Sequence, residues 1–121
     1  MGKEIEIYEY LKCNKVVTRI ELHPNKRVVF ENFVANPLEC AFGVRKSPVT
    51  YDVFYAFLED RCFPKSRDGA KRLLKDIGVD FYDPRLIVEK THGVMFDDCY
   101  WIRFEGEENL TYDEVRRSLG L

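Results

Sequence analysis

An α+β fold, a small antiparallel sheet with helices packed on one side, is the class this sequence predicts, as one domain over 1–121. Three observations predict it. Period-two alternation fills the first third of the chain, helical spacing with capping residues fills the middle, and one aromatic strand precedes a last capped helix. That order of strands, helices, strand and helix argues for antiparallel pairing with segregated helices. A length of 121 residues suits one domain, and 45% hydrophobic with 14% aromatic content suffices for a packed core.

The alternation begins with Glu4, Ile5, Glu6 and Ile7. Val16, Thr18, Ile20 and Leu22 then share one face, with Val17, Arg19, Glu21 and His23 on the other, the pattern of a half-buried strand. His23-Pro24-Asn25-Lys26 is a turn, because Pro presets φ and Asn tolerates the tight position after it. Val28-Val29-Phe30 returns as the second arm of a hairpin. Residues 33–48, punctuated by Asn36-Pro37, Gly43 and Ser47-Pro48, form a connection.

Helices follow. Thr50 caps the first, whose buried face is Phe54, Phe57 and Leu58, and Pro64 interrupts it near Cys62-Phe63. Ser66 is the expected cap of a second, with Ala70, Leu73, Leu74 and Ile77 inward and Gly78 as its stop. Asp83-Pro84 opens a short third with Leu86 and Ile87 inward, closed by Gly93. Cys99 to Phe104 is a strand with Tyr100, Ile102 and Phe104 on one face and Trp101 and Arg103 on the other. Thr111-Tyr112-Asp113-Glu114 is a capping box, stapled by Leu110 and Val115.

The net charge of −2 gives no bulk attraction to nucleic acid or anionic membrane, so such binding requires a local patch. No apolar run approaches the roughly 20 residues that span a bilayer. The start of the chain resembles no signal or transit peptide, and Glu6 stands where myristoylation favours Ser or Thr, so no membrane partner and a cytoplasmic location are expected. Cys13, Cys40, Cys62 and Cys99 are widely spaced, and His23 and His92 add no ligand rhythm. Reduced thiols, no metal and no cofactor are the expectation.

Four constellations are candidates for function. Arg61, Lys65, Arg67, Lys71, Arg72 and Lys75 form a basic stretch in which Arg67, Lys71 and Lys75, at i, i+4 and i+8, line one face of the second helix. That face suits phosphates or an acidic partner; a solvated face with an Asp68–Arg72 pair is the plainer alternative. The last quarter is acidic, with Asp97, Asp98, Glu105, Glu107, Glu108, Asp113 and Glu114, and suits charge steering or ordinary helix-start acidity. His92 near Asp97 and Asp98 suggests acid–base chemistry, but no nucleophile motif accompanies it and a His at a helix C-terminus is favoured by the dipole. Trp101 and Arg103 on an open strand face would stack bases or anchor a partner, while burial is the usual fate of Trp.

Leu58-x-x-Arg61-x-x-Pro64-x-Ser66-Arg67, then Leu73-Leu74 and Gly78, then Gly93-x-x-x-Asp97-Asp98-x-Tyr100-Trp101-Ile102 resemble the amino-terminal region of HipA-like proteins of Firmicutes, over roughly residues 15–115. The resemblance implies a front module standing alone. The kinase part of that family does not carry over, since no Gly-rich phosphate loop or catalytic-loop pattern is present, and Asp97 departs from the Ser often found there. The expected function is therefore a non-catalytic protein-interaction or regulatory module that restrains a larger partner, such as a separately encoded HipA-like kinase of toxin–antitoxin type. Its alternatives are nucleic-acid binding through the basic helix, and a phage or mobile-element inhibitor of a bacterial defence complex of anti-CRISPR type.

Overall fold

The computed structural model describes residues 5–95 and 97–120; Glu4, where the first alternation starts, and Phe96 lie outside them. The elements run β1 (Glu6–Lys12), β2 (Lys15–Leu22), β3 (Val28–Asn32), a 3-10 turn (Pro37–Glu39), α1 (Tyr51–Asp60), α2 (Ala70–Asp76), α3 (Pro84–Thr91), β4 (Tyr100–Phe104) and α4 (Tyr112–Ser118). The strands form one antiparallel sheet in the order β3-β2-β1-β4, giving the α+β architecture that the alternation and the helical spacing predict. No helix of the described residues is long and apolar enough to cross a membrane.

The main core lies between one sheet face and helices α1 to α3. Tyr8, Ile20, Leu22 and Val28 from the strands meet Phe54 and Leu58 of α1 and Ile87 and Val88 of α3. Tyr8 packs edge-on to both Phe54 and Phe104, the arrangement that ring quadrupoles favour. A smaller cluster sits on the opposite face, where Leu11 and Trp101 are covered by Val115 of α4. Helices α1 to α3 thus cover the face the sequence assigns to the core, and α4 adds a short layer behind it.

A β-bulge divides the two clusters. Tyr10 pairs with Thr18 but Leu11 pairs with Val16, which leaves Val17 as an extra residue on β2. Period-two alternation therefore fails at this point. Thr18, Ile20 and Leu22 are buried as expected, while Val16 turns to the back cluster and Val17 joins the main core. Thr18 is fully buried, and its hydroxyl donates to Asn32 Oδ1 at 2.9 Å and accepts from the Ala41 N–H at 3.2 Å.

Three helix starts follow their capping residues. Thr50 accepts from the Val53 N–H, Asp83 from the Arg85 N–H, and Thr111 forms a reciprocal box with Glu114. The second helix differs from expectation. It starts at Ala70 and not after Ser66, because Gly69 has a φ of 79°, outside the right-handed helical region. Gly78, also at φ 79°, follows its end.

Both sheet edges carry local hydrogen bonds. On β3, Val28 O accepts from the Val49 N–H at 2.9 Å and the Phe30 N–H donates to Ser47 Oγ at 3.1 Å. On β4, the Ile102 N–H donates to His92 O at 2.7 Å and the Phe104 N–H to Glu107 Oε1 at 2.9 Å.

Candidate functional site

The late start of α2 redistributes the basic stretch. Lys71 and Lys75 remain one turn apart on the helix. Arg67 falls in the preceding turn, where its N–H donates to Pro64 O at 3.1 Å, so the three-cation helical face predicted for Arg67, Lys71 and Lys75 does not form. Arg72 is exposed on α2.

Arg61 leaves the basic surface altogether, contrary to its expected role as a partner contact. Only 8% exposed, it donates from Nε to Gly93 O at 2.9 Å, from both terminal nitrogens to the Asp98 carboxylate at 2.9 and 3.0 Å, and from Nη2 to Tyr100 O at 2.8 Å. The α1 C-terminus, the α3–β4 loop and β4 are thereby pinned together. Burial works against the charge on Arg61, but the hydrogen bonds and charge of Asp98 outweigh it and hold the guanidinium protonated. Burial likewise pushes the Asp98 carboxyl up; Arg61 and the Tyr100 N–H outweigh it and hold the carboxyl below its ordinary value. Gly93 completes the joint. Its φ is 67°, and an added Cβ would lie 3.2 Å from Arg61 Cβ and 3.3 Å from Ile102 Cδ1.

The secondary candidates, Asp97 apart, also hold contacts within the fold. Trp101 is fully buried and its indole N–H donates to Cys13 O. Arg103 donates from Nε to Glu9 Oε1 at 2.8 Å and from Nη1 to Leu110 O at 3.2 Å. His92 ends α3 in a left-handed conformation, with Nε2 3.2 Å from both Glu107 carboxylate oxygens. Asp98 is committed to Arg61, whereas Asp97 remains exposed. The acid–base constellation of His92, Asp97 and Asp98 thus separates into different partnerships.

What the fold does bring together is Lys65, Lys71 and Lys75. They border a groove of about 630 Å³ between α2 and the segment that follows it. Leu74, Val79 and Tyr82 supply apolar lining, and Phe81, 60% exposed, stands at the same groove. Tyr82 is fixed by donating its hydroxyl to Phe63 O at 2.7 Å; burial first, then nearby negative groups, push its ionisation up to about 12. Asp80 is the carboxylate in the lining. Arg67 lines a separate cavity of about 400 Å³ with Cys62, Met95 and Asp97. Burial pushes the Cys62 thiol up to about 12, so it stays protonated and unreactive at neutral pH.

The basic half of the groove was legible as charge clustering. The aromatic half was not, because Val79, Phe81 and Tyr82 lie in a short inter-helix segment without periodicity. Their available signal was three apolar residues among Asp80 and Asp83 directly after a helix-stopping glycine. Among the described residues, no group of three or more His, Cys, Asp or Glu is arranged to hold a metal ion. No protein-family model, no curated protein and no solved structure matches this chain.

Proposed function

We propose that this protein is a non-catalytic interaction module whose basic groove takes an acidic segment, bearing an apolar anchor, from a larger partner protein. The observation that carries the reading is Lys65, Lys71 and Lys75 set around an apolar floor with Phe81 exposed beside it. Lysines at the rim select negative charge and raise the association rate, while the aromatic and aliphatic floor supplies the desolvated contact from which affinity comes. A separately encoded HipA-like kinase is the partner class to which the sequence resemblance leads, with restraint by occupancy as the mechanism.

Single-stranded nucleic acid is the second reading, favoured by the conjunction of lysines with an exposed aromatic. Three lysines sharing their groove with the Asp80 carboxylate, on a chain of net charge −2, make a short phosphate track. That favours a peptide.

The test is a titration of the isotope-labelled protein with an Asp/Glu-rich peptide carrying interspersed Leu and Phe, and separately with a mixed-sequence single-stranded oligonucleotide. Expected are amide shift changes around residues 71–82 with the peptide, lost in Lys71→Glu/Lys75→Glu. Oligonucleotide binding with a steep salt slope and no peptide response supports the second reading. No response of these amides to either probe refutes the groove as a binding site.

A further inference from the structure

Strands β1 and β4 pair from Tyr8 opposite Phe104 to Lys12 opposite Tyr100. The ladder ends there, and Cys13 enters the β1–β2 turn in a left-handed conformation, φ 53°, but its N–H still donates to Cys99 O at 2.8 Å and holds the two residues side by side. A hydrogen-bonded antiparallel pair holds its Cα atoms about 5.5 Å apart, inside the roughly 4.4–6.8 Å found for disulfide-bonded cysteines. Solvent reaches the pair, for Cys13 is exposed and Cys99 half-buried, whereas Cys62 is sealed in the core. The neighbouring Cys99 thiol is the largest influence on Cys13 and pushes its ionisation up, against the charge of Lys12.

We propose that Cys13 and Cys99 form a reactive dithiol site whose substrates are low-molecular-weight disulfides of the glutathione class, and that reaction closes a Cys13–Cys99 disulfide within the chain. Cys13, the more accessible, loses its proton to solvent and attacks one sulfur of the oxidised tripeptide. A protein–glutathione S–S bond forms, the glutathione S–S bond breaks, and the first glutathione leaves as a thiolate that takes up a proton. Cys99 then loses its proton and attacks the Cys13 sulfur. The Cys13–Cys99 bond forms and the second glutathione leaves, protonated in turn. Two protein thiols are oxidised by two electrons and one small disulfide is reduced to two thiols.

The site lies apart from the groove on α2. Asn14 Oδ1, in the same turn as Cys13, accepts from the Tyr112 N–H at 2.9 Å, and the Tyr112 hydroxyl donates to Asp98 O at 3.2 Å. Closure of the disulfide therefore fixes three things at once: the β1–β2 turn, the entry to β4 and the start of α4.

The experiment uses the full chain, reduced, desalted and incubated with oxidised glutathione, then read by intact mass and by peptide mapping under non-reducing conditions. Wild type is expected to lose the mass of two hydrogens, to give one peptide pair linked through Cys13 and Cys99, and to leave Cys40 and Cys62 open to alkylation after unfolding. Cys99→Ser stops at the first step and carries glutathione on Cys13. The bridged protein melts higher than the reduced one by about 5 °C or more, because the bond closes a long loop. Wild type that retains glutathione on Cys13 without closing, a bridge through Cys40 or Cys62, a disulfide between two chains, or four thiols still free overturns the proposal. Each of these is read on wild type, so the result does not depend on a variant folding.

Discussion

Removal of the Asp98 carboxylate is the sharpest perturbation of the joint that Arg61 makes. In Asp98→Ala the guanidinium keeps its bonds to Gly93 O and Tyr100 O but loses both carboxylate oxygens, and the Tyr100 N–H loses its acceptor. Breaking a buried pair by deleting one partner costs about 3–5 kcal/mol, because a charge stays behind in a poorly solvated place. The Asp98 side chain is 31% exposed, so water reaches part of the vacated position and the low end, about 3 kcal/mol, is expected. For a domain of this size that corresponds to a fall in Tm on the order of 10 °C.

Urea denaturation of wild type, Asp98→Ala, Arg61→Met and the double variant separates the pair from its surroundings. The double variant should lose about 1–3 kcal/mol less than the sum of the singles, since neither then leaves an unpaired charge. The pH dependence follows from the depressed carboxyl of Asp98. A group whose pKa is lowered on folding contributes its full share above the unfolded value, 3.8 for an ordinary Asp, and loses it as pH falls through the folded value. The gap between wild type and Asp98→Ala should therefore be constant above about pH 5 and narrow below about pH 4. A loss under about 1 kcal/mol, strict additivity, or a gap that widens in acid refutes the reasoning.

Leu74→Ala should cost about 2–4 kcal/mol by denaturation, while Leu73→Ala, at a half-buried position, should cost about half of that or less. Gly93→Ala should destabilise by about 2 kcal/mol or more, combining a left-handed backbone with a Cβ pressed on Arg61, whereas Gly43→Ala meets open space and pays only for its φ; a comparison of melting curves checks the difference. Thr111→Ala removes one half of the α4 capping box and should cost about 1 kcal/mol, with the loss read in urea and most of it restored by Thr111→Ser.

Periodicity and capping chemistry were enough to read the hairpin, α1, α3, β4 and α4, because each is set by local residues: Pro24-Asn25, Thr50, Asp83-Pro84 and the Thr111–Glu114 box. Gly69 was the local signal that the Ser66 start overlooked. The bulge at Val17 was not legible, since an extra residue on one strand is defined only against its partner. For the same reason charge clustering grouped Arg61 with Lys65, Lys71 and Lys75, although Arg61 belongs to Asp98, far along the chain. Arg61, Gly93, Asp98 and Tyr100, spread along the sequence, are joined by hydrogen bonds that only the fold brings together. The adjacency of Cys13 and Cys99 likewise exists only in the fold, through a backbone bond just past the end of the β1–β4 ladder.

The outer margin of β4 has a consequence for how this molecule meets others. An open edge strand is a template on which a foreign strand adds rung by rung. Here Asp98 takes the Tyr100 N–H, Arg61 takes the Tyr100 carbonyl, His92 O takes the Ile102 N–H, and Glu107 takes the Phe104 N–H while donating its own to the Phe104 carbonyl. Ser47 and Val49 intrude in the same way beside β3. An incoming strand would have to displace an ion-paired arginine, two carboxylates and a helix terminus to pair along β4. Strand addition along the β4 margin is thereby disfavoured, for a copy of this chain as for a foreign strand.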